Sequence, residues 1–326
     1  MSRESVLWYR LLAPLFPAWA RLGHPIFTWE LRRRQRRQHL VASRLMAALL
    51  SAAMVALVAV VIDVHRSDRP LVPHVFDWLT FALLAPSLLL RLATTASTAG
   101  AVNQEMEGGT WDSLRATAMP LRDVIGAKWA AGVWSVGLVL GWVTALRGVL
   151  VVLLLSDLTR FRGQYLAFLI DGAQPTIPWV VGALAVAAGM TCAVLQPAVT
   201  AGLDAATGLL ASVWVRNRGL AQVLAGAVRL LPWMVVYGLA WPVVDGLAWM
   251  PVTTLGGWLL LLLFAVEGDM ALGLLMIDWL AQLYGDVNFG FAIGPAALAL
   301  LLAQAALAVA LIRLAAWRAA KLGERG

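Results

Sequence analysis

Charged residues and cysteine are scarce in this sequence. Asp, Glu, Lys and Arg make up 13% of the 326 residues, about half of the ~25% that is usual in soluble domains. The single cysteine, Cys192, excludes an internal disulfide. The four histidines lack the spacing of metal ligands, so no metal site is expected. The phosphate-loop pattern G-x-x-x-x-G-K-S/T is missing, which excludes ATP hydrolysis by that route, and we expect neither a cofactor nor an enzymatic activity in this chain.

What the sequence has instead is apolar: 61% of its residues are hydrophobic, and they form long blocks. Residues 45–62 and 287–312 contain no charge at all. Such blocks predict membrane-spanning helices, because about 20 residues at ~1.5 Å each cross the hydrocarbon. The sequence therefore predicts an all-α polytopic membrane protein. Its net charge of +7 is then typical of cytoplasmic loops beside anionic lipid, and no nucleic-acid partner is expected.

The apolar blocks predict six membrane-spanning helices. They lie at about residues 43–64, 76–102, 129–155, 177–215, 220–244 and 291–312. The fourth block is too long for one straight span, so it either extends beyond the membrane or is bent. Residues 246–284 allow two solutions, a re-entrant hairpin before the last span or a hairpin that crosses twice, which would give eight spans. The six-span solution with a re-entrant hairpin is the one we predict.

Basic residues predict the orientation of these spans. Nine Lys and Arg precede Leu45, three lie in residues 103–128, two flank Asn217 and four follow Ile312. All of these fall on one side of the membrane, whereas the loops on the other side hold four. Since basic residues collect in cytoplasmic loops, both termini are predicted to be cytoplasmic in a multi-pass protein of the cell inner membrane.

The chain divides into an N-terminal segment, residues 1–42, and a membrane domain, residues 43–326. Pro25 can open a helix in the N-terminal segment. Apolar side chains and a run of arginines follow it, which predicts an amphipathic helix on the membrane surface with arginines on lipid headgroups. A plain topology signal is the alternative. The residues assigned to this interfacial helix are Pro25, Phe27, Trp29, Glu30, Arg32 and Arg33.

The polar stretch of residues 103–128 separates the second and third spans. Gly108 and Gly109 can end the helix that leaves the membrane, and Thr110 can cap a new one. Trp111, Leu114 and Ala118 then share one helical face, and Pro120 ends the short helix. An exposed Trp/Leu face suits docking into a groove on a partner. The alternative is an ordinary loop whose Trp111 touches the bilayer.

This stretch resembles the cytoplasmic signature of type 2 ATP-binding-cassette (ABC) exporter permeases. The matching positions are Glu105, Glu107, Gly109, Thr110, Trp111, Asp112, Leu114, Thr117, Ile125 and Lys128. Residues 24–32 are similar to the connecting helix of that family, and Gly208 to Leu210 with Ser212, before Arg216 and Arg218, resembles the end of its fourth span. Ala118 and Pro120 depart from the pattern, where members usually have proline and a capping serine.

The resemblance implies six spans with a re-entrant element before the last. It also implies a homo- or heterodimer of permease subunits on two cytoplasmic ATPase subunits, which bind the ATP and magnesium. Closure of the ATPase dimer would push residues 105–120 and switch an export pathway by alternating access. The implied coupling interface is Glu105, Glu107, Gly109, Thr110, Trp111, Leu114, Thr117, Pro120 and Lys128. The rival hypotheses are a membrane enzyme acting on lipid and an ATPase-independent pore or structural subunit.

Charged residues inside the apolar blocks are the remaining candidates, because such residues in membranes mark functional sites. They are Arg91, Arg147, Asp204 and Arg229. Asp204 and Arg229 lie at matching depth about a dozen residues on either side of a turn, so they either pair across adjacent helices or face water separately. Arg91 and Arg147 either face the dimer interior or reach for the interface. Glu267, Asp269 and Asp278 are expected near the outer mouth, as solvated helix ends or as attractors of cationic substrates.

Overall fold

The computed structural model describes residues 25–37, 73–116, 119–244 and 255–321. The predicted first span at residues 43–64 and the segment before residue 25 lie outside the described residues. So do two residues of the predicted docking loop, Thr117 and Ala118.

The described ranges contain twelve α-helices and no strand. They are α1 Pro25–Arg37, α2 Pro73–Thr98, α3 Asn103–Glu107, α4 Trp111–Ala116, α5 Leu121–Ser135, α6 Gly137–Leu158, α7 Gln164–Asp171, α8 Trp179–Trp214, α9 Arg218–Val244, α10 Leu255–Val266, α11 Ile277–Gly285 and α12 Ile293–Lys321. Four of these, α6, α8, α9 and α12, are long and apolar enough to cross a membrane. The protein is thus an all-α membrane protein, as its apolar blocks predict.

Two predicted spans have a different shape in the structure. The third is divided at Val136, which leaves the helical region (φ −101°, ψ 7°) between α5 and α6. The fourth is a single helix, α8, which runs through Pro197 for 36 residues. At ~1.5 Å per residue it is about 54 Å long and extends beyond the ~30 Å hydrocarbon layer.

The core lies between α8 and α12, which pack closely along their length. A Cβ atom at Gly294 of α12 would lie 2.2 Å from the carbonyl oxygen of Ala185 in α8. Only glycine allows this approach, and close helix pairs in membranes depend on such small residues because dispersion contacts increase as backbones come together. The same apolar cluster includes Met190, Leu272 and Leu301.

The chain between α9 and α12 forms a short helical hairpin. Its first helix, α10, has 12 residues and is about 18 Å long, too short to cross the hydrocarbon. A turn at residues 267–269 follows, and the chain returns through the 9-residue α11. Gln174, in the loop before α8, donates its backbone N–H to the Tyr284 carbonyl (3.0 Å) and accepts from Phe289 (2.8 Å). The returning arm of the hairpin, which contains α11, therefore ends beside the start of α8.

Candidate functional site

Helix α1 lies against α5, and its sequence explains which side faces inwards. Ile26, Phe27 and Leu31 are buried against Val124 and Ala127 of α5. The Phe27 ring also meets the Trp134 ring edge-on, 6.5 Å between centroids. Phe27 and Leu31 are four residues apart and Ile26 is next to Phe27, which places all three on one face.

The opposite side of α1 is open. Trp29 is 47% exposed and Arg32 is exposed as well. An indole and a guanidinium on one open face suit the boundary between lipid headgroups and acyl chains.

Four charged side chains fasten α1 to the loop and to α5. We call them the clamp cluster: Glu30, Arg33, Glu105 and Lys128. Lys128 is fully buried and contacts both Glu30 and Glu105, the latter at 3.4 Å. Glu105 also pairs with Arg33, whose side chain is partly exposed at the rim beside the Trp29 ring. The cluster is neutral overall, and it joins three helices that are far apart in sequence.

Glu105 is the centre of the clamp cluster. Burial raises the pKa of its carboxyl, but Lys128, a hydrogen bond from the Thr110 hydroxyl and Arg33 together outweigh burial, so the pKa lies below its ordinary value. Thr110 thus donates its hydroxyl to Glu105, and its backbone carbonyl accepts from Leu114 at the start of α4. A hydrogen bond thus joins Thr110, which was predicted to cap α4, to Glu105 of the acidic signature.

Acidification is expected to loosen the clamp cluster. Because the folded pKa of Glu105 is lowered, its contribution to stability is complete above the ordinary value of 4.5. The contribution is lost as the pH falls through the folded pKa. Melting temperatures measured in detergent between about pH 7 and about pH 3 should fall less for Glu105→Gln than for the wild type. Parallel curves for the two proteins would contradict this role for Glu105.

The predicted exposed Trp/Leu face is wrong for Trp111. Its side chain is only 5% exposed and packs against Ile125, Leu209 and Val213 at the ends of α5 and α8. Leu114 lies partly buried on the same cluster. The short helix turns its apolar face towards the protein because these ends of α5 and α8 offer a larger apolar surface than an isolated loop can.

Other features of the loop between α2 and α5 were either not predicted or differ from the prediction. The Ser212 hydroxyl of α8 accepts from the backbone N–H of Val102 at 2.8 Å, which fixes the entry into α3. The two glycines end α3, whereas the long helix α2 already ends at Thr98. The described part of α4 runs to Ala116, and Pro120 precedes the first residue of α5.

The part of the loop that does face outwards is small and polar. We call it the loop tip: Glu107, Gly108, Gly109, Asp112 and Ser113, all of them exposed. Gly109 has a left-handed backbone (φ 64°) with open space around it, a conformation that glycine adopts at little cost. Asp112 is 89% exposed and lies 3.7 Å from Arg115 of the same helix. The exposed members of the predicted coupling set are Glu107, Gly109, Thr110 and Pro120. The buried members Glu105, Trp111 and Lys128 hold the loop in place.

The predicted pairing of Asp204 with Arg229 is confirmed. Arg229 Nε of α9 donates to Asp204 Oδ1 of α8 at 2.5 Å, and both side chains are buried. The pairing follows from helix geometry, because residues at equal distance from a tight turn lie at equal depth in antiparallel neighbours.

Arg91 and Arg147 also lie inside the protein and not at an interface with water. Arg147 of α6 contacts Asp269 at 2.7 Å and donates to the Gln196 side chain at 3.0 Å. Arg91 of α2 donates to the Glu267 carbonyl at 2.8 Å. Both guanidinium groups therefore bind the turn of the hairpin.

Glu267 and Asp269 do not lie where the sequence predicted them. They are neither solvated helix ends nor an outer mouth, because the hairpin carries its turn to three arginines in the interior. Arg91 and Arg229 each lie 3.7 Å from Glu267 Oε2. We call the resulting set of three cations and three carboxylates the charge network: Arg91, Arg147, Asp204, Arg229, Glu267 and Asp269. The side chain of Asp278 lies outside the described residues.

Three uncharged side chains complete the charge network and were missed. Gln196 donates to the carbonyl of Val266 at 2.6 Å, Gln304 donates to Glu267, and the Tyr237 hydroxyl donates to the Gly268 carbonyl at 2.7 Å. The sequence did hold a signal for the two glutamines, because each places an amide within a long apolar block. A polar side chain in lipid requires a hydrogen-bond partner.

Neither region has the composition of a metal site. Among the residues that the structure describes, no three His, Cys, Asp or Glu side chains are grouped as metal ligands would be. In the charge network each carboxylate already faces an arginine. The arrangement is suited to holding the helices together.

Comparison with known proteins adds no relative: no family model, no curated protein and no solved structure matches this chain.

Proposed function

We propose that the protein is the membrane-spanning permease subunit of an ATP-driven exporter, with the ATPase supplied by a separate cytoplasmic protein. The observation that carries this proposal is the loop between α2 and α5. Its buried side contacts α1, α5, α8 and α12, whereas its tip projects outwards without apolar residues. A loop with this construction transmits a push at its tip to several membrane helices at once.

The proposed topology has six spans, with both termini in the cytoplasm. Helices α2, α6, α8, α9 and α12 supply five spans, and residues 43–64 supply the first. The turn between α8 and α9 makes these helices antiparallel, so α9 runs back towards the end at which α8 begins. The hairpin returns to that same end of α8 at Gln174, which supports a re-entrant hairpin over a double crossing.

The membrane lipids are proposed partners of α1. Its exposed side holds Trp29 and Arg32, while its buried side is fastened to α5. A lipid-bound α1 would place the clamp cluster at the headgroup level, where anionic phosphates attract arginine. The second permease subunit of the proposed dimer, identical or not, would bind through membrane helices.

The rival functions have less support in the described residues. A lipid-modifying enzyme needs a nucleophile or a metal near a membrane face, and the titratable groups found together here are neutralised pairs. A structural subunit without an ATPase does not account for a rigidly held, outward-facing loop tip.

Blocking the loop tip is the test. Ser113→Trp places a bulky side chain on the exposed side of α4, and we expect it to reduce co-purification of a phosphate-loop ATPase by at least tenfold, about 1.4 kcal/mol. The wild-type complex should contain that ATPase in a fixed ratio and hydrolyse ATP.

The matched control is Gln164→Trp, which adds the same side chain at an exposed position of α7 and should leave the complex intact. A wild-type protein that is isolated without any such ATPase would refute the exporter. Equal recovery with Ser113→Trp and with the control would refute the assignment of the tip.

A further inference from the structure

The charge network contains polar atoms that protein groups do not satisfy. Eight of its buried atoms, counting Gln304, have no hydrogen-bond partner within the described part of the chain. Four can donate and four accept: Arg91 Nε and Nη1, Arg147 Nε and Arg229 Nη2 against Asp204 Oδ2, Glu267 Oε2, Asp269 Oδ1 and Gln304 Oε1. Buried polar groups are nearly always paired, and each one left bare costs about 1–3 kcal/mol, more when charged.

The distances around Glu267 show where the pairing is incomplete. Arg91 Nη1 and Arg229 Nη1 each lie 3.7 Å from Glu267 Oε2. This is too long for a direct hydrogen bond but within the span of a shared water molecule. The direct contacts nearby, Arg229 to Asp204 at 2.5 Å and Arg147 to Asp269 at 2.7 Å, show that the side chains reach their partners elsewhere.

The balance of donors and acceptors identifies the ligand. A cation would satisfy only the four acceptors and would add charge to a neutral set, and an anion would satisfy only the four donors. Water both accepts and donates, and it leaves the balance of three arginines and three carboxylates unchanged. We propose that the charge network is a hydrated site, in which ordered water molecules bridge the three arginines to the hairpin turn inside the membrane domain.

The site lies deep in the protein. Arg147 is near the middle of α6, and Gln304 lies well inside α12. Water held here would let the hairpin turn separate from the arginines by exchanging one polar partner for another, without exposing a bare charge to hydrocarbon. This inference does not depend on the proposed exporter function, since it concerns only how the turn is held.

Hydroxyl-radical labelling of the protein in lipid nanodiscs tests the proposal, because radiolysis makes radicals from bound water as well as from bulk water. Met270 follows Asp269 in the chain, is 5% exposed and packs beside Val236 and Phe264. Met190 is 6% exposed and packs in the apolar cluster between α8 and α12. The two thioethers are thus matched in accessibility. We expect Met270 to be oxidised at least about fivefold faster than Met190, since sulfoxide formation requires a local oxidant.

Two further measurements make the result decisive. The bulky oxidant tert-butyl hydroperoxide should leave both methionines intact, because neither is reached from solvent. The double variant Asp204→Leu with Arg229→Met removes one balanced pair and should lower the labelling ratio by about half or more. Equal labelling of Met270 and Met190 in the wild type would overturn the hydrated site, whether or not the variant folds. So would peroxide oxidation with the same preference for Met270, because it would show an open path from solvent.

Discussion

Replacing Lys128 with methionine is expected to destabilise the protein by about 3–5 kcal/mol, the range for removing one partner of a buried ion pair. Lys128 is fully buried between Glu30 and Glu105. Without the ammonium group the two carboxylates lose the cation that both of them contact, while Glu105 keeps its contact with Arg33. Unfolding by denaturant in mixed micelles, followed by tryptophan fluorescence, measures the loss.

The matched control for Lys128 is Arg33→Met, which removes a charge of the same sign from the rim of the clamp cluster. Arg33 is 26% exposed, so water compensates part of its loss and the effect should be about 1 kcal/mol or less. Adding Glu105→Gln to Lys128→Met should recover part of the lost stability, since one of the two buried carboxylates that had contacted Lys128 is then neutral. A Lys128 variant as stable as the Arg33 variant would contradict the structure at this place.

Replacing Arg147 with leucine is expected to have an effect of similar size, about 3–5 kcal/mol. The variant leaves Asp269 buried without a cation and removes the donors to the Gln196 side chain and the Ala193 carbonyl. Since the hairpin turn then loses one of its three arginines, limited proteolysis of residues 245–290 should become faster as well.

A double replacement separates charge from packing at Arg147. Arg147→Leu with Asp269→Asn removes both charges and should restore part of the stability, because no buried charge is then left unpaired. Asparagine also tolerates the left-handed backbone of residue 269 (φ 63°). Arg216→Leu, at an exposed position of the turn before α9, should change stability by less than about 0.5 kcal/mol. Failure of the double variant to recover would show that Arg147 acts through its hydrogen bonds and not through its charge.

The parts of this fold that were predictable from sequence are those set by local pattern. Long apolar blocks predicted helices α6, α8, α9 and α12 because burial of backbone polar groups in lipid leaves few alternatives. The Asp204–Arg229 pair was predictable for a related reason. The two residues lie at nearly equal numbers of residues from a tight turn. They therefore lie at the same depth on neighbouring antiparallel helices and can meet.

The contacts that sequence did not predict join residues distant in the chain. Trp111 has the helical spacing of a docking face, but that spacing does not say whether the face meets a partner or the same protein. Glu267 and Asp269 read as solvated ends of short helices because nothing near them shows that the turn meets Arg91 and Arg147. Lys128 and Glu105 were identified by resemblance as an interface, and only the packing of α1 on α5 shows that both are buried.

The charge network also constrains the order in which the protein can be made. Asp204 and Arg229 are 25 residues apart and meet as soon as the turn between α8 and α9 forms, but Arg91 and Glu267 are 176 residues apart. Chains emerge from the ribosome N-terminus first, so Arg91 and Arg147 enter the membrane long before the hairpin exists. Each unpaired arginine costs about 2.5–3.5 kcal/mol at the centre of a spanning helix. Helices α2 and α6 therefore carry this cost until residues 267–269 are synthesised, and the arrival of the hairpin turn supplies both arginines with their partners and completes the bundle.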